Sequence, residues 1–142
     1  MFSFDALISS IILLIFISLI IYEFAYSAER VQNMLEKNEK TAFAITLSDS
    51  LIKNRNSEEP EKGCAEYNSK TRRVQSNAID KNLLEKIKPT KFGKYELSAI
   101  YTKTKNNKKY FFNSNGKNCI TIERLVSINK KNSVLGVVVC EK

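Results

Sequence analysis

The chain opens with a long run of apolar residues. Residues 6–22 read ALISSIILLIFISLIIY and include no charged side chain, and Asp5 is the only charged residue before them. About 20 mostly apolar residues in a helix span the hydrocarbon core of a bilayer, and a helix satisfies its own backbone hydrogen bonds there. The pattern therefore predicts a transmembrane helix over residues 1–22.

A cleavable signal peptide is the alternative interpretation of this run. Such a peptide begins with basic residues and has an apolar core of about 7–15 residues. No Lys or Arg precedes Ala6, and the uncharged run is longer than such a core. The segment Ala25–Ala28 resembles a cleavage site but is also ordinary helix sequence. We therefore expect the helix to be retained.

Beyond Tyr22 the apolar residues are spaced as on one face of a helix. No Pro or Gly occurs between Glu23 and Lys53, and the charged residues lie mostly on other faces. The apolar face comprises Val31, Leu35, Ala42, Ile45 and Ile52. This spacing predicts that the helix continues to about Ile52. Residues 23–53 then form an amphipathic half, which another part of the chain covers.

The next segment is polar and contains both proline and glycine. Residues 54–76 therefore read as a loop. A short helix is expected over residues 77–88, with Asn77 as its cap, Asp80 in its first turn and Pro89 beyond its end. The apolar face of this helix comprises Ile79, Leu83, Leu84 and Ile87.

Apolar and polar residues alternate from residue 94 to residue 140, as is typical of strands. Turn-forming residues divide this region into four segments, and Arg124 interrupts the apolar face of the third. Strands joined by short turns form an antiparallel meander with one covered face. The sequence thus predicts an α+β fold, in which the long N-terminal helix packs on a C-terminal four-stranded antiparallel sheet with one short extra helix. Residues 54–142 form the globular head.

Basic side chains dominate the chain after the apolar run. The sequence has 23 Lys and Arg against 15 Asp and Glu, and from Val31 onward the counts are 22 and 12. A domain this basic favours anionic partners. A solvated, lysine-rich surface without a specific partner has the same composition, so both interpretations stay open.

Four lysines interleave with aromatic residues around one predicted turn, between Tyr101 and the run Tyr110–Phe112. These lysines are Lys103, Lys105, Lys108 and Lys109. Basic groups beside aromatic rings suit a single-stranded nucleic acid or an acidic surface polymer. An exposed turn whose aromatic residues belong to the core gives the same pattern, so the site is a candidate only.

The chain lacks the residue patterns of common enzymes. It has no His, which removes the commonest general base and the commonest metal ligand. With only four Gly, it has neither a phosphate-binding glycine loop nor a nucleophile elbow. We expect a protein that is not an enzyme and that holds no cofactor or metal ion.

Three cysteines follow the apolar run. Cys119 opens the third predicted strand and Cys140 closes the fourth, so the two lie at the same end of one hairpin and a disulfide between them is feasible. Cys64, in the predicted loop, is the odd cysteine. It replaces one of the other two in the disulfide or stays a buried free thiol.

The layout of an apolar helix, an amphipathic continuation and a C-terminal sheet resembles that of a type IV pilin. The opening FSFDALISSIILLIFISLI is similar to the mature N-terminus of archaeal pilin-like proteins, which carry a class III signal peptide cut just before such a run. The resemblance covers most of the chain as a layout and about the first 20 residues as a motif. The family pattern includes a basic leader ahead of this run, whereas the sequence opens on Met1, so the cleavage of a leader stays an open question.

The resemblance implies a role in assembly. Asp5 matches the acid that in pilins meets the N-terminal amine of a neighbouring subunit, and Phe2 and Phe4 belong to the same assembly motif. The implied partners are membrane lipid before assembly, the pilus assembly machinery, and copies of the chain or other pilins through the N-terminal helix. The implied location is the cell membrane first and an extracellular surface filament afterwards.

Two other interpretations fit part of the pattern. Asp5 at the helix N-terminus is also favoured by the helix dipole without any partner. A single-pass protein whose extracellular domain never polymerises, or a minor pilin that binds an anionic ligand such as DNA, shares every feature apart from the N-terminal motif.

Overall fold

The computed structural model describes residues 4–105 and 107–142. The chain forms two compact units, and the boundary between them lies between Glu39 and Lys40. Helix α1 (Phe4–Lys53) makes up the described part of the first unit and the opening segment of the second. This confirms the prediction of one uninterrupted helix that ends near Ile52. The helix is continuous because its range contains neither Pro nor Gly, the residues that most often interrupt helices.

The second unit has an α+β fold built on one large sheet. After α1 and a turn of 3₁₀ helix, its elements are β1 (Ala65–Asn68), β2 (Arg73–Ile79), α2 (Lys81–Leu84), β3 (Thr90–Phe92), β4 (Tyr95–Thr104), β5 (Asn107–Asn113), β6 (Lys117–Ile128) and β7 (Lys131–Glu141). The strand order is β1-β2-β6-β7-β4-β3, and β5 pairs with β4 beside β3. All pairs are antiparallel apart from β2 and β6, which are parallel.

The four strands predicted over residues 94–140 are present as β4 to β7 with antiparallel pairs, but the prediction that they form the whole sheet is wrong. The sheet has seven strands and is mixed. Two of the extra strands, β1 and most of β2, occupy the segment 54–76 that reads as a loop. Their residues are mostly exposed, so they lack the apolar alternation by which a strand is recognised.

The short helix is also smaller than expected. Within the predicted range 77–88 only Lys81–Leu84 (α2) is α-helical, and Asp80 rather than Asn77 is its cap. The Asp80 carboxylate accepts hydrogen bonds from the backbone N–H groups of Asn82 (3.0 Å) and Leu83 (3.4 Å). Asn77 instead lies in β2 with a φ of 63°. The predicted apolar residues Ile79, Leu83, Leu84 and Ile87 are nevertheless all buried.

The C-terminal part of α1 packs on the sheet, but with a different face from the predicted one. Its buried residues are Lys40, Ala44, Leu47, Ser48, Leu51 and Ile52. Of the predicted stripe beyond residue 39, only Ile52 is buried, and Ile45 is 40% exposed. Beside this face the Arg124 guanidinium contacts Asp49 at 2.9 Å, so a polar pair also joins the helix to β6. The residue that interrupts the apolar pattern of β6 thus has a structural partner.

A polar cluster joins α1 to the last strand. Lys40 Nζ donates hydrogen bonds to Glu141 Oε1 and to the Asn118 carbonyl, both at 2.8 Å, and Asn118 Nδ2 donates to Glu141 Oε2 at 2.6 Å. The hydrogen bond from Lys40 is the largest of the effects that hold the pKa of Glu141 below its ordinary value. The neighbouring Cys119 and Cys140 form the predicted disulfide.

This cluster predicts a specific sensitivity to acid. Because the pKa of Glu141 is lowered in the folded protein, its contribution to stability is present above the ordinary carboxyl pKa and is lost as the pH falls through the folded value. We expect Lys40→Met to reduce the loss of stability between about pH 5 and pH 3. Urea unfolding of the full chain in detergent micelles at both pH values measures this, with Lys91→Met, at an exposed lysine of β3, as the matched control. Equal acid sensitivity in Lys40→Met and the wild type would contradict the assignment.

Candidate functional site

The surface of α1 in the first unit is the most unusual feature of the chain. Every residue from Phe4 to Glu39 is exposed, although residues 6–22 carry no charge. The helix is long and apolar enough to cross a membrane. A helix that is apolar on all sides needs lipid or other protein around it, because the exposure of apolar surface to water is unfavourable.

Serine hydroxyls within this segment are satisfied by their own helix. Ser10 Oγ donates to the Leu7 carbonyl and Ser18 Oγ donates to the Ile15 carbonyl, each at 2.8 Å. Such local hydrogen bonds remove the cost of placing a hydroxyl in hydrocarbon. These serines are therefore compatible with burial in lipid or in a helix bundle.

The residues of the assembly motif lie at the start of the helix. Asp5 is in the first turn of α1, and Phe4, the first described residue, is 77% exposed. Phe2 lies outside the described residues. A carboxylate in the first turn interacts favourably with the helix dipole, so the helix alone accounts for the position of Asp5.

Aromatic residues mark the other end of the apolar run. Tyr22, Phe24 and Tyr26 are all exposed, and the Arg30 guanidinium lies 5.8 Å from the centre of the Tyr26 ring. Tyrosines are enriched at the level of lipid headgroups, where the ring is in an apolar environment and the hydroxyl is hydrated. The aromatic cluster thus marks a boundary of the apolar segment, which the positions of Tyr22 and Tyr26 in the sequence could have indicated.

The four lysines around the β4–β5 turn divide between two sides of the sheet. Lys103 and Lys108 are directly opposite each other on neighbouring strands. Lys109 pairs instead with Thr102, and its ammonium lies 3.7 Å from a carboxylate oxygen of Glu85. Side chains alternate between the faces of a strand, so the four lysines predicted from the sequence do not form one patch.

The aromatic residues near this turn have structural partners. Lys108 Nζ lies 3.7 Å from the ring centre of Tyr101 and 4.9 Å from that of Tyr110. Tyr101 is only 4% exposed, and its hydroxyl donates a 2.6 Å hydrogen bond to Glu123 Oε1. Burial of Tyr101 is the larger cause, and its hydrogen bond to the Glu123 carboxylate the next, of a pKa raised to about 12. Tyr101 therefore belongs to the packed interior of this face.

The Tyr101 ring reaches Glu123 by crossing Gly136 on the strand between them. A Cβ at Gly136 would overlap the Tyr101 ring. We expect Gly136→Ala to destabilise the second unit by roughly 1–3 kcal/mol, because the ring must move and its hydrogen bond to Glu123 is lost. Urea unfolding measures the cost. In a Tyr101→Ala background the same substitution should cost much less, and equal costs in both backgrounds would argue against the contact.

Cys64 has no features of a reactive thiol. It is fully buried and its thiol donates a hydrogen bond to the Leu51 carbonyl at 3.3 Å. Burial raises the pKa of Cys64 to about 12, so the thiolate is scarce at neutral pH. No group of His, Cys, Asp and Glu suited to a metal ion occurs among residues 4–105 and 107–142.

Comparisons of the chain with family models, curated proteins and solved structures return no match. The functional interpretation of the chain therefore depends on its own physical features. The two principal features are the exposed apolar helix of the first unit and the excess of basic side chains in the second unit.

Proposed function

We propose that the chain is a structural subunit of a type IV pilus-like surface filament and that it assembles through its apolar N-terminal helix. The observation that carries the proposal is the surface of α1. Its residues 4–39 are all exposed, whereas the last turns of the same helix are buried in the core of the second unit. One element thus combines an uncovered apolar surface with a folded domain.

Assembly then proceeds as an exchange of partners around the apolar segment. Lipid covers residues 6–22 while the subunit is in the membrane, and neighbouring helices cover them in the filament. This exchange is nearly neutral in hydrophobic terms, so close helix packing and polar pairing supply the preference for the filament. Asp5 supplies the polar pairing, because a carboxylate in the apolar phase costs roughly 3 kcal/mol unless it is paired or neutral.

The disulfide supports a location for the second unit outside the cytoplasm. Cys119 and Cys140 are bonded, and disulfides persist mainly in oxidising compartments. The Asn-rich, Lys-rich surface and the absence of His are consistent with a structural head rather than a catalytic one. In this proposal the head is a spacer and contact surface of the filament and performs no reaction.

The test is the location of the chain in cells that produce it. Filaments are sheared from the cell surface, imaged by electron microscopy and digested for peptide mass spectrometry. We expect head peptides from residues 54–142 in the sheared filaments, and we expect their loss when residues 4–22 are replaced by an unrelated transmembrane helix. Recovery of the chain solely from detergent-solubilised membranes would support the single-pass anchored protein and contradict the filament.

A further inference from the structure

Two tight turns bring several lysines to one end of the sheet. Lys103 in β4 pairs with Val134 in β7, so the β4–β5 turn and the β6–β7 turn lie side by side. The first turn includes Lys105, and the second is the two-residue loop between β6 and β7. The lysines gathered at this end are Lys103, Lys105, Lys108, Lys130 and Lys131.

The backbone of the β6–β7 turn favours glycine, yet a lysine occupies it. Asn129 and Lys130 both have positive φ, 51° and 62°. A two-residue hairpin loop of this kind commonly has the sequence Asn-Gly, because a side chain at the second position is strained. A lysine at this position thus lowers stability and places a positive charge at the tip of the hairpin.

Like charges also face each other across β4 and β5. Lys103 and Lys108 are directly opposed, an arrangement that is destabilising in a sheet unless a counter-charge is present. The ammonium of Lys108 lies against the Tyr101 and Tyr110 rings, so Lys103 and the turn lysines Lys105 and Lys130 carry most of the positive charge at this end of the sheet. A bound anion would relieve the repulsion.

A shallow groove of about 270 Å³ lies beside these lysines. We call it the basic groove, and its lining is Lys103, Thr104, Lys105, Leu125, Asn132, Ser133 and Val134. Leu125 is 78% exposed although it lies in the middle of a sheet strand. The groove therefore combines two cations, hydroxyl and amide groups, and an uncovered apolar surface.

A second groove continues from the first across Leu125. Its volume is about 680 Å³, and Leu125 and Asn132 line both grooves. It lies between β2 and β6, which pair only at Ala78 and Ile79. Its other lining residues are Gln75, Ser76, Asn77, Ala78, Val126 and Ser127, most of which carry amide or hydroxyl groups and none of which is charged. The two grooves form one track for an extended ligand with an anionic group at one end.

The aromatic residues argue against a nucleic acid in this track. Proteins that bind single strands stack the bases on uncovered aromatic rings. Here Tyr101 is almost completely buried, Tyr110 is 46% exposed with the Lys108 ammonium 4.9 Å from its ring centre, and neither ring lines the two grooves. A ligand with carboxylates, hydroxyls and apolar C–H faces matches the lining better than one with planar bases.

We infer that the basic groove and its continuation bind a carboxylated polysaccharide. The carboxylate pairs with Lys103 and Lys105, the hydroxyls bond to the amide and hydroxyl side chains, and a sugar ring packs on Leu125. This binding surface lies wholly in the second unit, so the inference does not depend on filament assembly.

Binding of a fluorescent oligogalacturonate to the full chain in detergent micelles tests the inference, with fluorescence anisotropy as the readout. We expect Lys103→Gln combined with Lys105→Gln to weaken binding by about tenfold. The control, Lys88→Gln combined with Lys91→Gln, removes the same charge from exposed positions outside the groove. We expect Leu125→Ser to weaken binding several-fold without a change in charge, and a thermal midpoint equal to that of the wild type verifies its fold.

Three results would overturn the inference. Equal losses in the two double variants would mean that the ligand responds only to net charge. Tighter binding of oligothymidylate than of oligogalacturonate would assign the surface to nucleic acid. Absence of saturable binding to the wild type at low salt would eliminate the site.

Discussion

Leu14→Lys is expected to remove the chain from both the membrane and the filament. Leu14 lies near the middle of the uncharged run and is exposed. A lysine at the centre of a bilayer costs roughly 2.5–3.5 kcal/mol on insertion scales, which corresponds to about a hundredfold lower insertion. The same charge would also be unpaired in a bundle of apolar helices. The fraction of chain that resists alkaline carbonate extraction measures the first effect, and the yield in sheared filaments measures the second.

The matched control adds the same charge to the same helix outside the apolar run. Asn33→Lys lies between Arg30 and Lys37, where the helix already has charged residues, and we expect wild-type extraction and yield. If Leu14→Lys remained in the carbonate-resistant fraction, residues 6–22 would not be in contact with lipid. If both variants were lost equally, the effect would reflect charge on the helix rather than its position.

Leu51→Ala is expected to destabilise the second unit by about 2–5 kcal/mol. Leu51 is fully buried where α1 packs on the sheet, among core residues that include Leu97, Ile100 and Val137. Removal of its side chain loses apolar contacts and leaves a cavity beneath the helix. Urea unfolding followed by tyrosine fluorescence measures the change, since the chain has no Trp.

Ile45→Ala is the control that tests the orientation of the helix. The apolar pattern placed Ile45 on the covered face, whereas in the structure it is 40% exposed. We expect it to cost no more than about 1 kcal/mol, because a large share of the residue is already in contact with water and little apolar surface is lost from the core. A larger cost for Ile45→Ala than for Leu51→Ala would restore the predicted face and contradict the packing.

The sequence specified the local features of the fold well. The absence of Pro and Gly from residues 23–53 predicted the extent of α1, and the positions of Cys119 and Cys140 at the ends of one hairpin predicted the disulfide. Both follow from short-range rules, helix continuity and hairpin geometry. The four apolar residues predicted to be covered within residues 77–88 are also buried, although α2 is shorter than that range.

Features that depend on contacts between residues far apart in the sequence could not be predicted from local patterns. The parallel contact of β2 with β6 joins segments separated by three other strands, and exposed β2 lacks apolar alternation. Where α1 packs on the sheet, the contact of Arg124 with Asp49 accompanies the buried apolar residues, and no periodicity reports it. In both cases tertiary interactions determined a choice that local pattern left open.

The four candidate lysines do not all lie on one side of the sheet, for a related reason. Adjacent residues in a strand point to opposite faces, so Lys108 and Lys109 were separated as soon as β5 formed. Lys130 and Leu125 were missed because their proximity to Lys103 arises from the pairing of β4, β6 and β7. The two-residue Asn129–Lys130 turn was the local signal that could have indicated them.

The central claim is that the apolar segment of α1 contacts other subunits in a filament. A photo-cross-linking amino acid in place of Phe16, in the middle of the uncharged run, tests it most directly on filaments sheared from cells. The proposal predicts cross-linked dimers and higher multimers of the chain, or of the chain with other filament subunits, in the sheared fraction. Cross-links to lipid alone, with no cross-linked subunits in that fraction, would contradict it.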